Sequence, residues 1–311
     1  MNDLDLRDLR YFETIAQTGN LAKAAELVHR SQPALTSCIR RLESALNTQL
    51  FEKSGRGIRL TSAGLALVER ARALRMHVHD ASREIADIGS GSAGQVRIGV
   101  LPTLARFLMP PLCRALLDQA PEVNIQATIA QNDVLAKLLH SGEVDLILTT
   151  STRANARWVA EPVLSDEVVV VAGITHPIFE QSRITLNDLL RYRWVLAPST
   201  VGTRQWLDRV FHDHGLPAPR VQIETNQILN MPTLVCGTHL LAFTSRLHVA
   251  NGPLKAELRE VPLKATTMKR SFDVVYRSDG YLSPVTIRLL NLLKTQGKRL
   301  FQSENAKQEG V

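Results

Sequence analysis

The pattern of hydrophobic and polar positions changes once along the chain. Up to about residue 88, apolar residues recur every three or four positions, which is the period of an amphipathic helix. Beyond residue 94, short apolar runs alternate with segments of helical period. A Gly/Ser-rich stretch, 89–94, separates the two regions and is typical of a flexible hinge. The pattern therefore predicts a helical N-terminal region followed by an α/β region.

Three short helices are predicted at the N-terminus, over residues 6–17, 21–28 and 32–46. Asn20 and Ser31 precede the second and third helices, where their side-chain oxygens are suited to cap free backbone N–H groups. Pro33 falls in the first turn of the third helix, where a missing N–H is harmless. This spacing predicts a tight pair of helices with the third one presented outward.

The third helix has one apolar arc and one polar arc at 100° per residue. The polar arc consists of Gln32, Pro33, Thr36, Ser37 and Arg40. In the major groove Gln can pair with adenine, Arg with guanine, and Ser or Thr with bases or phosphates. We therefore predict a helix-turn-helix whose third helix reads DNA, with the cap residues Asn20 and Ser31 also among the DNA-contacting residues. The alternative is a solvated helix face.

Residues 51–60 predict a β-hairpin, because two apolar ends flank a turn that contains glycine. Three cations lie on this hairpin: Lys53, Arg56 and Arg59. Their position next to the predicted reading helix favours contact with DNA phosphates.

A long helix is predicted from the cap residue Thr61 to about residue 88. Its apolar residues recur with alternating spacings of four and three, as in a coiled-coil seam: Leu67, Ala71, Leu74, Val78, Ala81, Ile85 and Ile88. We expect this seam to join two chains. The alternative is that it packs on the protein's own domains.

The C-terminal region predicts a mostly parallel sheet covered by helices. Predicted strands cover residues 96–100, 123–130, 144–149, 167–172, 194–197, 221–225, 240–244 and 271–276. Predicted helices cover residues 103–119, 133–141, 203–214, 229–236 and 284–295.

Composition and charge narrow the function classes. The 311 residues suffice for two domains, and the net charge of +7 favours an anionic partner only modestly. Residues 1–65 hold nine Lys or Arg against seven Asp or Glu, so DNA binding must rest on the placement of charge and on dimer avidity.

Three scattered cysteines predict neither disulfides nor a metal site, and no cofactor is expected. With no signal peptide or apolar run of membrane length, we expect a cytoplasmic protein without membrane contact.

The chain resembles the LysR-type transcriptional regulators over almost its whole length. The motifs that carry the resemblance are Leu9-Arg-Tyr-Phe12, Gly19-Asn20, Ala24-Ala25, Ser31-Gln-Pro-Ala-Leu35, Ile39, Leu42-Glu43, Leu50-Phe51 and Leu60-Thr61-x-x-Gly64. Asn20, Thr36 and Asn47 depart from the usual family residues, and the first two keep capping or hydrogen-bonding chemistry.

The resemblance implies a domain plan. An all-α winged helix-turn-helix, 1–60, would be followed by a linker helix for dimerisation, 61–89, and a hinge, 90–94. The remainder, 95–303, would be an α/β effector domain similar to periplasmic solute-binding proteins, with two subdomains joined by two crossover strands. Its subdomain I would comprise about 95–165 and 266–303, and its subdomain II about 166–265.

The resemblance also implies partners. The protein would bind double-stranded promoter DNA as a dimer or tetramer, contact RNA polymerase, and change conformation when a small effector binds between the subdomains. Residues 66–311 carry a net charge of +5, which is compatible with an anionic effector.

Candidate effector-binding residues lie at predicted strand ends and helix starts, where free N–H groups attract anions. They are Thr103, Asn132, Thr149, Thr150, Ser199, Thr200, Gly202 and Thr203. Family members commonly use the positions of Thr103 and Thr200 for the ligand, whereas ligand contact and plain helix capping are equally open for Asn132. Ser245 stands where the family often has Pro.

Two other function classes have weaker signals in the sequence. An enzyme would need a nucleophile and base, and the best candidate, 211–214, has the pattern of an exposed helix end. A DNA-binding architectural protein without a ligand would not need the α/β region. We therefore predict a ligand-responsive regulator with no catalytic residues.

Overall fold

The computed structural model describes residues 4–55, 57–90, 94–150, 157–251 and 253–303. The chain divides into two compact units, residues 1–91 and 92–311, which are described separately. None of the described helices combines the length and the apolar character needed to span a membrane.

The N-terminal unit contains four helices and one hairpin. Its elements are α1 (Leu6–Thr18), α2 (Leu21–Leu27), α3 (Gln32–Leu46), β1 (Phe51–Ser54), β2 (Gly57–Leu60) and α4 (Ser62–Ser90). The Asn20 side chain accepts hydrogen bonds from the N–H groups of Ala22 and Lys23 at 2.9 and 3.1 Å, and Ser31 Oγ accepts one from the Ala34 N–H at 3.4 Å. The predicted caps therefore set the starts of α2 and α3.

The apolar arc of α3 faces the core of this unit. Leu35, Cys38 and Leu42 are buried against residues of α1 and α2. Beside this core, Arg41 binds the buried Asp8 carboxylate of α1 with two hydrogen bonds, at 2.9 and 2.7 Å. One face of α3 therefore packs in the core of the unit, and the other face is exposed to solvent.

The predicted seam of α4 has two environments. Ala71 is 1% exposed and packs in the helix-turn-helix core, with Leu67 partly buried beside it. Leu74, Val78 and Ile85 are 45%, 47% and 69% exposed. Leu67 and Ala71 therefore pack within the chain's own N-terminal unit, whereas the later seam residues are exposed.

The helix α4 also runs through Gly89 and Ser90, which were assigned to a hinge. The helix ladder therefore extends into the Gly/Ser stretch, and residues 91–93 lie outside the described residues.

The C-terminal unit alternates strands and helices. Its elements are β3 (Gln95–Val100), α5 (Pro102–Phe107), α6 (Met109–Gln119), β4 (Asn124–Ile129), α7 (Asn132–Ser141), β5 (Leu146–Thr150), β6 (Trp158–Gly173), β7 (Arg193–Leu196), α8 (Gly202–Asp213), β8 (Arg220–Glu224), α9 (Met231–Val235), β9 (Leu240–Ser245), α10 (Leu247–Asn251), β10 (Leu258–Glu260), β11 (Met268–Arg277) and α11 (Pro284–Ser303). Short 3₁₀ turns, among them Ile228–Asn230, connect some of them.

The strands form one sheet in the order β4-β3-β5-β11-β6-β9-β7-β8, with β10 beside β6. Pairing is parallel within β4-β3-β5 and within β9-β7-β8, which we call the first and second halves. The two central strands, β6 and β11, pair antiparallel with each other and with β9 and β5. The prediction of a mostly parallel sheet was therefore wrong at its centre, because these strands carry the chain between the halves instead of following a βαβ crossover.

The helix predicted over 103–119 is two helices. Pro110 and Pro111 fall in the first turn of α6, where their missing N–H groups are tolerated but could not continue the ladder of α5. The break lies at Leu108 and leaves α5 only six residues long.

Gly64 marks a tight contact in the N-terminal unit. A β-carbon at this position would lie 2.2 Å from the carbonyl oxygen of Leu50. We expect Gly64→Ala to lower the free energy of unfolding by about 1 to 3 kcal/mol, because the backbone at Leu50, directly before β1, must shift. Urea unfolding of the full chain measures the change.

Gly89→Ala is the matched control, since it lies in the same helix with no atom within 4 Å of the added β-carbon. It should leave stability unchanged or raise it by about 0.5 to 1 kcal/mol. Equal effects of the two substitutions would contradict the proposed close contact at residue 64.

Candidate functional site

A cleft of about 400 Å³ lies in the C-terminal unit, where the halves meet across β6 and β11. The first half contributes the starts of α5 and α7 and the end of β5, and the second half contributes the start of α8. The polar lining residues are Thr103, Gln131, Asn132, Thr150, Thr203, Thr244, Ser245, Lys269, Arg270 and Ser271. The cleft is therefore mixed in polarity, with hydroxyl groups and cations but no carboxylate among its lining residues.

The structure brings most of the predicted effector-binding residues to this cleft. Thr103, Asn132, Thr150, Gly202 and Thr203 line it.

Ser199 and Thr200 are exposed and are absent from the lining. Between β7 and α8, the chain reaches the cleft only at Val201, the residue directly before α8, and at the first two residues of the helix, Gly202 and Thr203. The expectation that Thr200 lines the cleft is therefore not met.

Asn132 is held in place by two threonines at the end of β5. Its side-chain amide donates a hydrogen bond to Thr150 Oγ1 at 2.8 Å, and its amide oxygen accepts one from the buried Thr149 hydroxyl. Asn132 is the first residue of α7 and not its cap, which is Gln131. Thr149 thus orients a lining residue without lining the cleft itself.

The base of the cleft contains a cross-strand ion pair. Arg270 of β11 lies directly opposite Asp166 of β6 in the sheet register, and the two side chains are only 12% and 3% exposed. Arg270 donates to Asp166 Oδ2 from Nε at 3.1 Å and from Nη2 at 2.6 Å. Burial raises the pKa of Asp166, and the guanidinium of Arg270 is the main influence that opposes this rise.

Other groups complete the surroundings of this pair. Asp166 Oδ1 accepts hydrogen bonds from Ser245 Oγ at 3.0 Å and from the Glu167 N–H at 2.8 Å. Arg270 Nη2 also donates to Thr103 Oγ1 at 3.4 Å. Within the described part of the chain, Arg270 Nη1 makes no hydrogen bond, which leaves donors for a ligand in the cleft.

Sequence reasoning missed Arg270 and Asp166. Each lies one residue outside a predicted strand, 271–276 and 167–172, so neither was placed in the sheet. The available signal was an acid before one predicted apolar strand and an arginine before another. Whether these two strands are neighbours depends on the strand order of the sheet, which the hydrophobic pattern does not reveal.

On the N-terminal unit, the polar face of α3 is largely solvent-accessible. Gln32, Pro33, Ser37 and Arg40 are exposed, whereas Thr36 is half-buried and donates its hydroxyl hydrogen to the Gln32 carbonyl at 3.1 Å. Arg40 has no salt bridge or hydrogen bond within the described residues, so its guanidinium is available to an external partner.

The caps and the hairpin surround this face. Asn20 and Ser31 already use their side-chain oxygens to cap α2 and α3. In the hairpin Lys53 is exposed, and Arg59 pairs with Glu52 of the opposite strand at 2.8 Å. Arg56 lies outside the described residues.

The segment 211–214 has no surroundings suited to catalysis. The side chains of His212 and Asp213 are 88% and 62% exposed, and His214 Nδ1 lies 2.8 Å from the Val210 carbonyl oxygen at the end of α8. Among the described residues, no cluster of three or more His, Cys, Asp or Glu side chains could hold a metal ion.

Two family profiles match these two units. Residues 6–65 match the bacterial regulatory helix-turn-helix proteins of the lysR family, and residues 89–298 match the LysR substrate binding domain. The chain belongs to the LysR family of transcriptional regulators. It combines a DNA-binding helix-turn-helix domain with an effector-binding domain, as the LysR resemblance predicted.

Individual LysR proteins are similar over most of their length. The regulator GbpR of Rhizobium radiobacter is 30% identical over 238 residues, which are 75% of this chain and 79% of GbpR. CfxR of Cupriavidus necator is 27% identical over 286 residues, 91% of this chain and 89% of CfxR.

Solved structures show the same fold. A full-length OxyR variant from Pseudomonas aeruginosa matches with a TM-score of 0.61 at 22% identity, over 96% of this chain and 95% of OxyR. CbnR in complex with its target DNA matches with a TM-score of 0.60 at 20% identity, over 93% of this chain and 99% of CbnR.

The ion pair at the base of the cleft makes a testable contribution to stability. Arg270→Met leaves the Asp166 carboxylate buried without its cation, and we expect it to lower the free energy of unfolding by about 3 to 5 kcal/mol at pH 8. The loss should shrink at pH 5. Without Arg270 the folded-state pKa of Asp166 rises further above its unfolded value, so stability present at low pH is lost as pH rises through the folded pKa. Urea unfolding at both pH values measures this.

The double variant Asp166→Asn/Arg270→Met provides the control, because it removes the charge that Arg270 compensates. It should recover much of the lost stability at pH 8. A double variant as unstable as Arg270→Met at pH 8 would rule out the uncompensated carboxylate as the cause.

Proposed function

We propose that this regulator binds promoter DNA with the polar face of α3 and the β1–β2 hairpin, and binds a small effector that carries a carboxylate in the cleft of the C-terminal unit. Arg270 is the observation that supports this effector class, because its guanidinium lines the cleft and Nη1 retains free donors. Because Nε and Nη2 already donate to Asp166 and Thr103, a carboxylate would accept its charge-assisted hydrogen bond from Nη1. The hydroxyl groups of Thr103 and Thr203 add polar contacts from each half.

An effector in this position would contact both halves of the C-terminal unit. Thr103 and Asn132 belong to the first half, and Gly202 and Thr203 to the second. A ligand that bridges them favours the arrangement in which both sets of contacts form, so binding shifts the population toward that arrangement. This supports an effector-dependent change of conformation.

Dimerisation is part of the proposal. Leu74, Val78, Ala81, Ile85 and Ile88 of α4 are exposed and continue the heptad spacing beyond the intrachain contacts of Leu67 and Ala71. Contact between two such helices would bury this stripe, and two linked reading heads would raise DNA affinity through avidity. Further pairing into tetramers and contact with RNA polymerase complete the proposed regulatory assembly.

The alternatives have less support. GbpR and CfxR are named transcriptional regulators, and the exposed 211–214 segment offers no catalytic pair. A purely architectural DNA-binding protein has no use for a cleft that contains an arginine. We therefore favour regulation by a ligand over catalysis or DNA bending alone.

Two neighbouring arginines of α3 separate DNA contact from stability. Arg40 is exposed and without an ion pair, whereas Arg41 binds the buried Asp8. We expect Arg40→Ala to weaken binding to a duplex selected by the wild-type protein from random sequences by about tenfold or more, since one arginine contact to a base contributes about 1 to 3 kcal/mol. Fluorescence anisotropy at fixed salt measures the affinity.

Arg41→Ala is the matched control, with the opposite pattern. It should lower the urea midpoint by removing the partner of a buried carboxylate, while Arg40→Ala should leave the midpoint unchanged. Unchanged DNA affinity in Arg40→Ala would contradict the role proposed for this face of α3.

Two threonines of the second half test the effector site. Thr203 lines the cleft and Thr200 is exposed outside it. We screen the full chain by thermal shift against small aliphatic, aromatic and hydroxylated carboxylates, where a ligand at 100 times its Kd should add about 2.7 kcal/mol of stability. The shift should shrink in Thr203→Ala and persist in Thr200→Ala. A panel without any shift, or a shift lost only in Thr200→Ala, would contradict the proposed cleft chemistry.

A further inference from the structure

A second cavity is lined by Arg106 of α5, from the first half, and by residues between 229 and 254, from the second half. It has a volume of about 280 Å³ and is separate from the effector cleft. Its apolar wall includes Leu229, Pro232 and Leu254, and its polar groups include Arg106, Thr233 and His248. The volume is close to the lower end of the range for small-molecule sites, about 300 to 1,000 Å³.

His248 is a buried polar group that the cleft does not use. The residue is 5% exposed, and its Nε2 atom has no hydrogen-bond partner in the described chain. Its ring packs edge-on against Phe107, with centroids 5.1 Å apart. A buried ring nitrogen without a partner is uncommon in folded proteins, and a bound molecule or water would supply the missing hydrogen bond.

The His248 ring is uncharged and can both donate and accept a hydrogen bond. Burial, followed by the nearby cations Arg106 and Arg270, lowers the pKa of His248 to about 4. The imidazole is therefore neutral at physiological pH, with one nitrogen as donor and the other as acceptor.

Arg106 gives the cavity a positive charge. It is exposed on α5, one turn after the cleft residue Thr103, and makes no ion pair within the described residues. No carboxylate is among the residues that line the cavity. An anion would meet an available guanidinium there without repulsion from a neighbouring acid.

We propose that this cavity is a second ligand site, which binds a small amphipathic organic carboxylate. Arg106 would bind the carboxylate, the Leu229, Pro232 and Leu254 wall would cover the apolar body, and the His248 ring would supply a hydrogen bond. The site is separate from the cleft, and its existence does not require that the cleft bind an effector.

The second cavity and the cleft are lined by the same two elements. Thr103 and Ile228 line the cleft, while Arg106 and Leu229 line the second cavity. Both sites therefore border α5 and the 3₁₀ turn Ile228–Asn230. A molecule in either site would favour a particular arrangement of this contact, so the two sites would be thermodynamically linked.

Fluorine NMR of the full chain tests the proposal, with 4-fluorobenzoate as the probe and 4-fluorobenzyl alcohol as its uncharged counterpart. We expect saturable broadening of the 4-fluorobenzoate signal and weaker binding of the alcohol. Arg106→Gln should weaken 4-fluorobenzoate binding by about tenfold or more, as expected for loss of a charged hydrogen bond. Arg106→Lys should retain part of the affinity, and His248→Phe, which keeps a ring beside Phe107, should lower it severalfold.

A variant of the cleft distinguishes the two sites. Thr203→Tyr narrows the cleft and should leave this binding intact if the second cavity is occupied. Loss of binding in Thr203→Tyr together with retention in Arg106→Gln would place the probe in the cleft and overturn the second site, while leaving the proposed effector cleft in force. Absence of binding to the wild-type protein would overturn the proposal for this class of ligand.

Discussion

The antiparallel pairing of β6 with β11 is the constraint on which the C-terminal unit depends. These two strands join the halves, and they bring Asp166 directly opposite Arg270. The ion pair between them is buried, and breaking such a pair costs more than forming it gains. Its partners extend to Ser245 of β9 and Thr103 of α5, so one cluster links the sheet centre to both halves. The proposed ligand cleft therefore lies on β6 and β11, the two strands that join the halves.

The N-terminal unit solves a different problem, because it must present polar groups without a large net charge. Caps from Asn20 and Ser31 fix the starts of α2 and α3, and the Asp8–Arg41 pair fixes α3 against α1. With one face of α3 held in this way, Gln32, Ser37 and Arg40 have defined positions at low entropic cost. In the proposed DNA complex, the placement of a few groups would then replace bulk electrostatic attraction.

Local chemistry explains how much of the structure could be predicted. The helix caps and the helix period of α3 follow from neighbours in sequence, and the helix starts were predicted within one or two residues. The break at Leu108 was missed, although two consecutive prolines signalled it. The cleft was only partly predictable. Thr103, Asn132 and Thr203 lie at helix starts, whereas Arg270 and Asp166 meet across strands about a hundred residues apart, and no local pattern encodes that pairing.

The position of β11 has a consequence for synthesis of the chain. In the sheet β11 lies between β5 and β6, yet it is the last strand to leave the ribosome. Until residue 277 has emerged, β5 exposes an unpaired edge in a half whose other strands were made more than a hundred residues earlier. At about 5 to 20 residues per second, this edge remains open for about 6 to 25 seconds. The nascent chain would therefore be vulnerable to strand-edge association during that interval, and chaperone capture before β11 emerges would be of direct benefit.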